Sequence, residues 1–275
     1  MQFQLYTPHI ALQPYVQGIV YTSTDARKNN NLQRIDFFPV GSSYIAFVLR
    51  ESAYFQSSQQ AKDFVRFNFM GQIEQHQHVI TSSLSLVYVL FRPHGAYRLL
   101  GIPQDLLTNA CSSLNTLLGH QINEVLAKLE DQSHDHLAVL RILQEWLLMR
   151  LGQNTDKQSG RVSFICQKIM AHSGTLPIKE LNRMSCMSKR SMEQYFKEQV
   201  GLSPKTFSRI IRFNQAYKQL QNSEQTDWME IVERFDYFDQ SHFIHEFKRF
   251  FGYTPSQRHL STENSDSAGL TYPSF

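Results

Sequence analysis

The chain has 275 residues, 27 Lys and Arg against 24 Asp and Glu, a net charge of +3 and 41% hydrophobic content. That length accommodates two domains with separate cores. No run reaches the ~18 apolar residues that a membrane span needs, and Met1-Gln-Phe-Gln-Leu-Tyr-Thr-Pro8 has neither the basic nor the apolar region of a secretion signal.

From about Phe3 to Arg98, short β-rich runs alternate with polar breaks. Ser43 to Leu49, Phe64 to Phe69 and Leu84 to Phe91 are the clearest strands, the last two with near period-two alternation. Strands at this spacing predict a small β-barrel or sandwich. Aromatic and basic residues along them, Phe38, Tyr44, Phe47, Tyr88 and Arg92, are candidates for an effector site, against the plainer reading that the aromatics are core. His76 and His78 share one face of an extended strand, a spacing used for metals, but no third ligand follows at suitable spacing and His94 sits on a turn. No metal, cofactor or catalytic residue is therefore assigned, because no nucleophile–base pair and no phosphate-cradling loop is present.

After Pro103 the texture becomes helical, with Leu114 to Leu118, Ile122 to Leu129 and Leu137 to Leu151 recurring at helical spacing. In the last, Leu137, Leu140, Leu143 or Gln144, Leu147, Leu148 and Leu151 form a stripe that packs on its own barrel or joins two copies in a homodimer. The first half is thus an α+β domain over residues 1–151, β strands followed by helices. Gly152-Gln-Asn-Thr-Asp-Lys-Gln-Ser-Gly160 holds no apolar residue and reads as a flexible linker. Three cysteines, Cys111, Cys166 and Cys186, lack metal-ligand spacing and suit a reducing, cytoplasmic setting.

Residues 161–258 read as an all-α domain. Val162 to Ala171 and Ile178 to Met184 form helices, the second with Pro177 at its opening and Glu180 near its N-terminal dipole. A turn follows, and Ser188 caps a helix from Lys189 to Gln199 with Met192, Phe196 and Val200 inward. Ser203 and Pro204 open a long helix reaching Leu220. Thr226 or Asp227 caps the next, with Glu230 completing a capping box, and the turn Asp236-Tyr-Phe-Asp239 leads to a helix from Gln240 to Phe251. A short turn after Thr254-Pro255 closes the domain, and residues 259–275 read as a disordered polar tail.

This half writes one helix-turn-helix pattern twice. Met187 to Lys197 with Gly201 and Pro204 is echoed about 50 residues later by Asp239 to Arg249 with Gly252 and Pro255, so the long helix holds two motifs apart as a strut. Residues 161–260 also carry the basic excess, 15 basic against 10 acidic side chains, whereas residues 1–160 balance at 12 and 12. Phosphate binding would require that distribution.

The region from Ser163 to Gln257 resembles the tandem helix-turn-helix domain of the AraC/XylS family of bacterial transcription regulators. The resemblance rests on Glu180-Leu181, Met187-Ser188, Phe196-Lys197, Gly201, Ser203-Pro204, Arg212, Ala216, Leu220, Ile231, Phe238-Asp-Gln-Ser-His-Phe243, Phe247-Lys248, Gly252 and Thr254-Pro255. More loosely, the corner from Val89 to Pro103 with Leu114 to Gly119 resembles the corner between barrel and helices in AraC-type sensor domains. Departures fall at the turns. Asn182, Ser185 and Cys186 stand where the family has small residues and a Gly, and Asp236 stands where it has Gly.

The resemblance implies a DNA-binding transcription regulator, an activator ahead of a repressor, with double-stranded DNA and RNA polymerase as partners and a small-molecule effector for the first domain. It places base readers at Arg190, Glu193 and Gln194 in the first motif and at Gln240, Ser241, His242, Ile244 and His245 in the second. Arg suits guanine, Gln adenine, Glu the cytosine amine and Ile a thymine methyl. Lys189, Lys197, Lys205, Arg209, Lys248, Arg249 and Arg258 are phosphate candidates, while Arg212 is open between phosphate and an inward brace. Two other classes compete: a barrel enzyme or metal-binding protein with a DNA-binding appendage, and an architectural DNA binder without an effector.

Overall fold

A computed structural model describes residues 2–24, 33–50, 53–57, 60–63, 66–81, 84–153, 159–222 and 228–255. The first domain is built on two antiparallel sheets. Strands β1 (Gln2–Tyr6), β2 (Val16–Thr24), β4 (Tyr44–Arg50), β7 (Phe67–Met70), β9 (Leu84–Phe91) and β10 (Cys111–Ser113) form a six-stranded sheet in the order β1-β2-β9-β4-β7-β10. Strands β3 (Gln33–Phe37), β5 (Ala53–Ser57), β6 (Gln60–Asp63) and β8 (Gln77–Thr81) form a second sheet in the order β3-β8-β5-β6.

Both faces of the larger sheet are apolar because each is covered. Side chains alternate faces along a strand, so Ile19, Ile45, Phe47, Leu49, Val87, Val89 and Phe91 share one face and pack under helices, while Val20, Ala46, Leu86, Tyr88 and Leu90 share the other. On this second face Phe37 of β3 stacks on Tyr44, with ring centroids 6.1 Å apart. The covering helices are α1 (Gly95–Leu100), α2 (Leu114–Leu118), α3 (Asn123–Asp131) and α4 (His136–Gln153). The corner from β9 into α1 depends on Gly95, where a Cβ would lie 1.9 Å from the Tyr15 carbonyl oxygen. Only glycine fits so close an approach.

The expected leucine stripe of α4 is divided by the packing. Val139, Leu143, Trp146 and Leu147 face the core, whereas Leu140, Leu148 and Leu151 are half-buried and Leu137 is 48% exposed. On the inward side Trp146 stands edge-on to Phe67, 6.0 Å between centroids. The expected linker is also shorter than its composition suggests. Gly152 and Gln153 continue α4, and Ser159 and Gly160 open the next helix, leaving 154–158 outside the described residues.

The second domain comprises α5 (Ser159–Ala171), α6 (Ile178–Ser185), α7 (Lys189–Val200), α8 (Pro204–Asn222), α9 (Trp228–Arg234) and α10 (Gln240–Phe251). One core joins all six. Its centre is Phe213 on α8, whose ring lies 4.8 to 5.9 Å from those of Phe243, Phe247, Phe250 and Phe251 on α10. The expected cap at Thr226 or Asp227, the turn after Pro255, Arg258 and the tail lie outside the described residues. Glu230, expected to complete a capping box, accepts from the Gln219 side chain at 3.1 Å.

Candidate nucleic-acid interface

The two motifs are closed by the same backbone device. At the end of α6, Cys186 turns left-handed with φ 53°, and the Met187 N–H reaches back to the Asn182 carbonyl. At the end of α9, Asp236 adopts φ 53°, and the Tyr237 N–H reaches back to the Val232 carbonyl. A left-handed residue with a backward hydrogen bond satisfies carbonyls that the helix end would orphan. Cys186 therefore makes the turn that the family pattern gives to glycine, and both turns bend alike.

Each second helix is then capped alike. The Ser188 hydroxyl accepts from the Ser191 N–H at 3.1 Å, and the Asp239 carboxylate accepts from the His242 N–H at 2.7 Å. Gly201 and Gly252 end α7 and α10 with φ 87° and 82°. The second turn is one residue longer, because the N-caps are 51 positions apart while the left-handed residues are 50 apart. The added residue is Phe238, which is 90% exposed.

The reading faces are open. On α7, Lys189, Arg190, Glu193, Gln194 and Lys197 are exposed, with Met192 and Phe196 buried behind them. On α10, Gln240, Ser241, His245, Lys248 and Arg249 are exposed, while His242 and Ile244 are half-buried. His242 has an internal task, since its Nδ1 accepts from the Phe238 N–H at 3.4 Å and its ring stands edge-on to Tyr237. Lys205, at the opening of α8, is exposed as well.

Arg209 is placed differently from the phosphate role expected of it. Its Nε donates to Glu246 Oε1 at 2.7 Å, and Glu246 is 1% exposed, on the inward side of α10. A buried carboxylate requires such a partner. Arg212 approaches the same carboxylate at 3.8 Å, donates to the Asp236 carbonyl at 3.2 Å and lies 4.5 Å over the Tyr237 ring. Its role is thus the inward brace. Burial and the neighbouring Glu246 push the Tyr237 phenol well up. The sequence signals this pairing only by placing Glu246 three residues after Phe243 and next to Phe247, on the buried side of α10.

The first domain docks on the back of both motifs. Tyr97 on α1 donates to Glu198 Oε1 on α7 at 3.0 Å, and the Thr108 hydroxyl donates to the Gly201 carbonyl. At the other motif, Phe38 packs 4.4 Å from Phe251, and Asn214 of the strut donates to the Pro39 carbonyl at 3.1 Å.

The five effector candidates do not converge. Phe38, Tyr44 and Tyr88 line a small apolar space of about 40 Å³. Phe47 lies on the opposite face of β4, edge-on to Phe67 at 5.8 Å, because residues 44 and 47 have opposite parity in a strand. Arg92 belongs to the corner after β9 and donates to the Gln13 carbonyl at 2.7 Å. His76 pairs with Asp36 at 2.6 Å and stacks on His78, whereas His94 lies in the corner with Arg92. Among the described residues no group of three His, Cys, Asp or Glu side chains is placed to hold a metal ion. Nor is any described helix long and apolar enough to cross a membrane.

Two equivalent capped helices with open polar faces, braced by one strut, define a tandem helix-turn-helix nucleic-acid reader joined to a two-sheet domain. A helix-turn-helix domain family matches residues 181–258, and a domain family of unknown function (DUF6597) matches residues 4–113. The chain is 24% identical over 204 residues to the HTH-type transcriptional activator RhaS of Klebsiella pneumoniae, covering 68% of this chain and 73% of that protein. It is 23% identical to RhaS of Escherichia coli strain SE11 with the same coverage. Among solved structures, fatty-acid-bound ToxT from Vibrio cholerae aligns with a TM-score of 0.44 at 10% identity, over 86% of this chain and 94% of that one. The chain is a DNA-binding transcription regulator that carries a helix-turn-helix domain at its C-terminal end.

Proposed function

We propose that this protein reads a promoter through both motifs at once, α7 and α10 entering successive major-groove turns on one face of double-stranded DNA. The observation that carries this reading is the matched geometry of the two motifs, together with reading faces that stay exposed while the first domain is docked. Arg190, Glu193 and Gln194 read one segment, and Gln240, Ser241, His245 and Ile244 the other. Lys189, Lys197, Lys205, Lys248 and Arg249 hold phosphates, which position the protein without specifying sequence. Arg209 and Arg212 instead secure α10 from behind.

The protein acts in the cytoplasm without catalysis, as an activator that recruits RNA polymerase; the activator names of its relatives support that sign. Its first domain responds to a small molecule, and the exposed Leu137 and Met149 on α4 support pairing of two copies.

Footprinting the full chain on a mapped site tests this reading. Two protected major-groove segments are expected, about 10 to 10.5 base pairs apart. Arg190→Ala should relax base preference in one segment and Gln240→Ala in the other, by about 1–3 kcal/mol each. Inserting half a helical turn between the segments should return binding to its non-specific level. A single protected groove, with a harmless insertion, would leave one motif as a structural remnant.

A further inference from the structure

A cavity of about 450 Å³ lies between the two domains, apart from the space between the sheets. One wall is the corner after β9, with Arg92, Pro93 and His94; the facing wall is α5, with Ser163, Gln167 and Met170. Gln13 completes the polar lining, and no Asp or Glu is among the lining residues.

The chemistry of these walls is specific. Arg92 spends its Nε on the Gln13 carbonyl and is otherwise exposed, with no carboxylate partner among the described residues. Its charge is the single full charge in the cavity, since burial and the adjacent guanidinium hold His94 neutral, its pKa lowered to about 4. His94 is 5% exposed, and its Nδ1 has no hydrogen-bond partner among the described residues. His94 therefore contributes an uncharged part of the wall. Ser163, Gln13 and Gln167 add neutral donors and acceptors, while Pro93 and Met170 offer surface to carbon.

We propose that this cavity binds a small hydroxylated organic monoanion, its carboxylate on Arg92 and its hydroxyls on Gln13, Ser163 and Gln167. One positive charge without a counter-charge selects one negative charge, and several neutral polar groups select a polar rather than a greasy body. The walls come from different domains, so the ligand bridges them. The site rests on the reading that the first domain answers to a small molecule, but places that molecule at the domain junction instead of between the sheets.

Saturation-transfer NMR and calorimetry on the full chain test it, with gluconate as a hydroxylated monocarboxylate, butyrate as one without hydroxyls and sorbitol as a neutral polyol. Gluconate should bind, butyrate more weakly, and sorbitol hardly at all. Arg92→Gln should weaken gluconate about tenfold, the worth of a charge-assisted hydrogen bond. Because Arg92 also holds the Gln13 carbonyl, Gln167→Trp is the second variant: it fills the cavity from an exposed position on α5 and should abolish binding. No gluconate binding to the unaltered chain, equal binding of sorbitol, or gluconate binding that survives Gln167→Trp overturns the proposal. If gluconate binds as expected but leaves affinity for a mapped DNA site unchanged, the cavity stands and the effector reading fails.

Discussion

Tyr97 and Glu198, 101 residues apart, are joined by a hydrogen bond of 3.0 Å that ties the corner helix of the first domain to the first recognition helix. Glu198 follows Lys197 on α7, so adjacent residues face opposite duties: Lys197 points to solvent and Glu198 is half-buried against the other domain. One helix therefore presents an open polar face on one side and holds the first domain on the other.

Tyr97→Phe removes that hydrogen bond while keeping the ring. It should cost about 1 kcal/mol, seen as faster amide exchange in α7, with base preference unchanged. A change in base preference would mean that Glu198 helps to aim the reading face.

Three arginine and lysine positions separate positioning from bracing. Lys205→Ala and Arg249→Ala should each flatten the salt dependence of DNA binding by about one unit on a log–log plot. Arg209→Ala should instead lower stability by about 3 kcal/mol, because it leaves the buried Glu246 with only the more distant Arg212. Urea unfolding measures the second effect; an unchanged midpoint for Arg209→Ala would show the ion pair to be dispensable.

Acid should weaken the fold through His94. Its pKa is lowered from 6.5 to about 4, chiefly by burial and then by Arg92. Between those values the unfolded chain binds a proton that the folded chain refuses, so the contribution is complete above pH 6.5 and disappears as pH falls toward 4. The full loss is about 3 kcal/mol. His94→Gln should flatten this part of the stability–pH curve relative to the unaltered chain; parallel curves would place the shift elsewhere.

Cys186 adopts φ 53° in the first turn, a conformation that costs an L-residue about 1 kcal/mol and glycine little. Cys186→Gly should raise stability by up to about 1 kcal/mol without altering DNA binding. A loss of stability would show that the half-turn needs the side chain more than it needs relief.

Much of this architecture was legible in the residues. The helix from Gln240 to Phe251 and the strand from Leu84 to Phe91 have the expected bounds, because capping by Asp239 and alternation along the strand are local signals. The tandem helix-turn-helix domain is legible for the same reason, its punctuation being repeated in register. What escaped were relationships between distant segments. Strand parity would have separated Phe47 from Tyr44, but nothing local shows that Arg92 turns to Gln13, that Glu246 faces inward to Arg209, or that Thr108 meets Gly201. Linker length is not legible, because composition alone cannot tell a polar helix end from a coil: Gly152 and Gly160 both lie in helices.

The docking contacts fall on both sides of the strut. Thr108 meets Gly201 at the end of α7, and Phe38 meets Phe251 at the end of α10, with Pro39 holding Asn214 between them. The separation of the two recognition helices is thus maintained by α8 and, independently, by the domain lying across it. If both motifs read DNA as proposed, a site whose half-elements are a base pair too close or too far must distort either itself or two interfaces at once, and elastic work of that kind is read as specificity. On that proposed reading the first domain serves as a ruler, penalising promoters by their spacing.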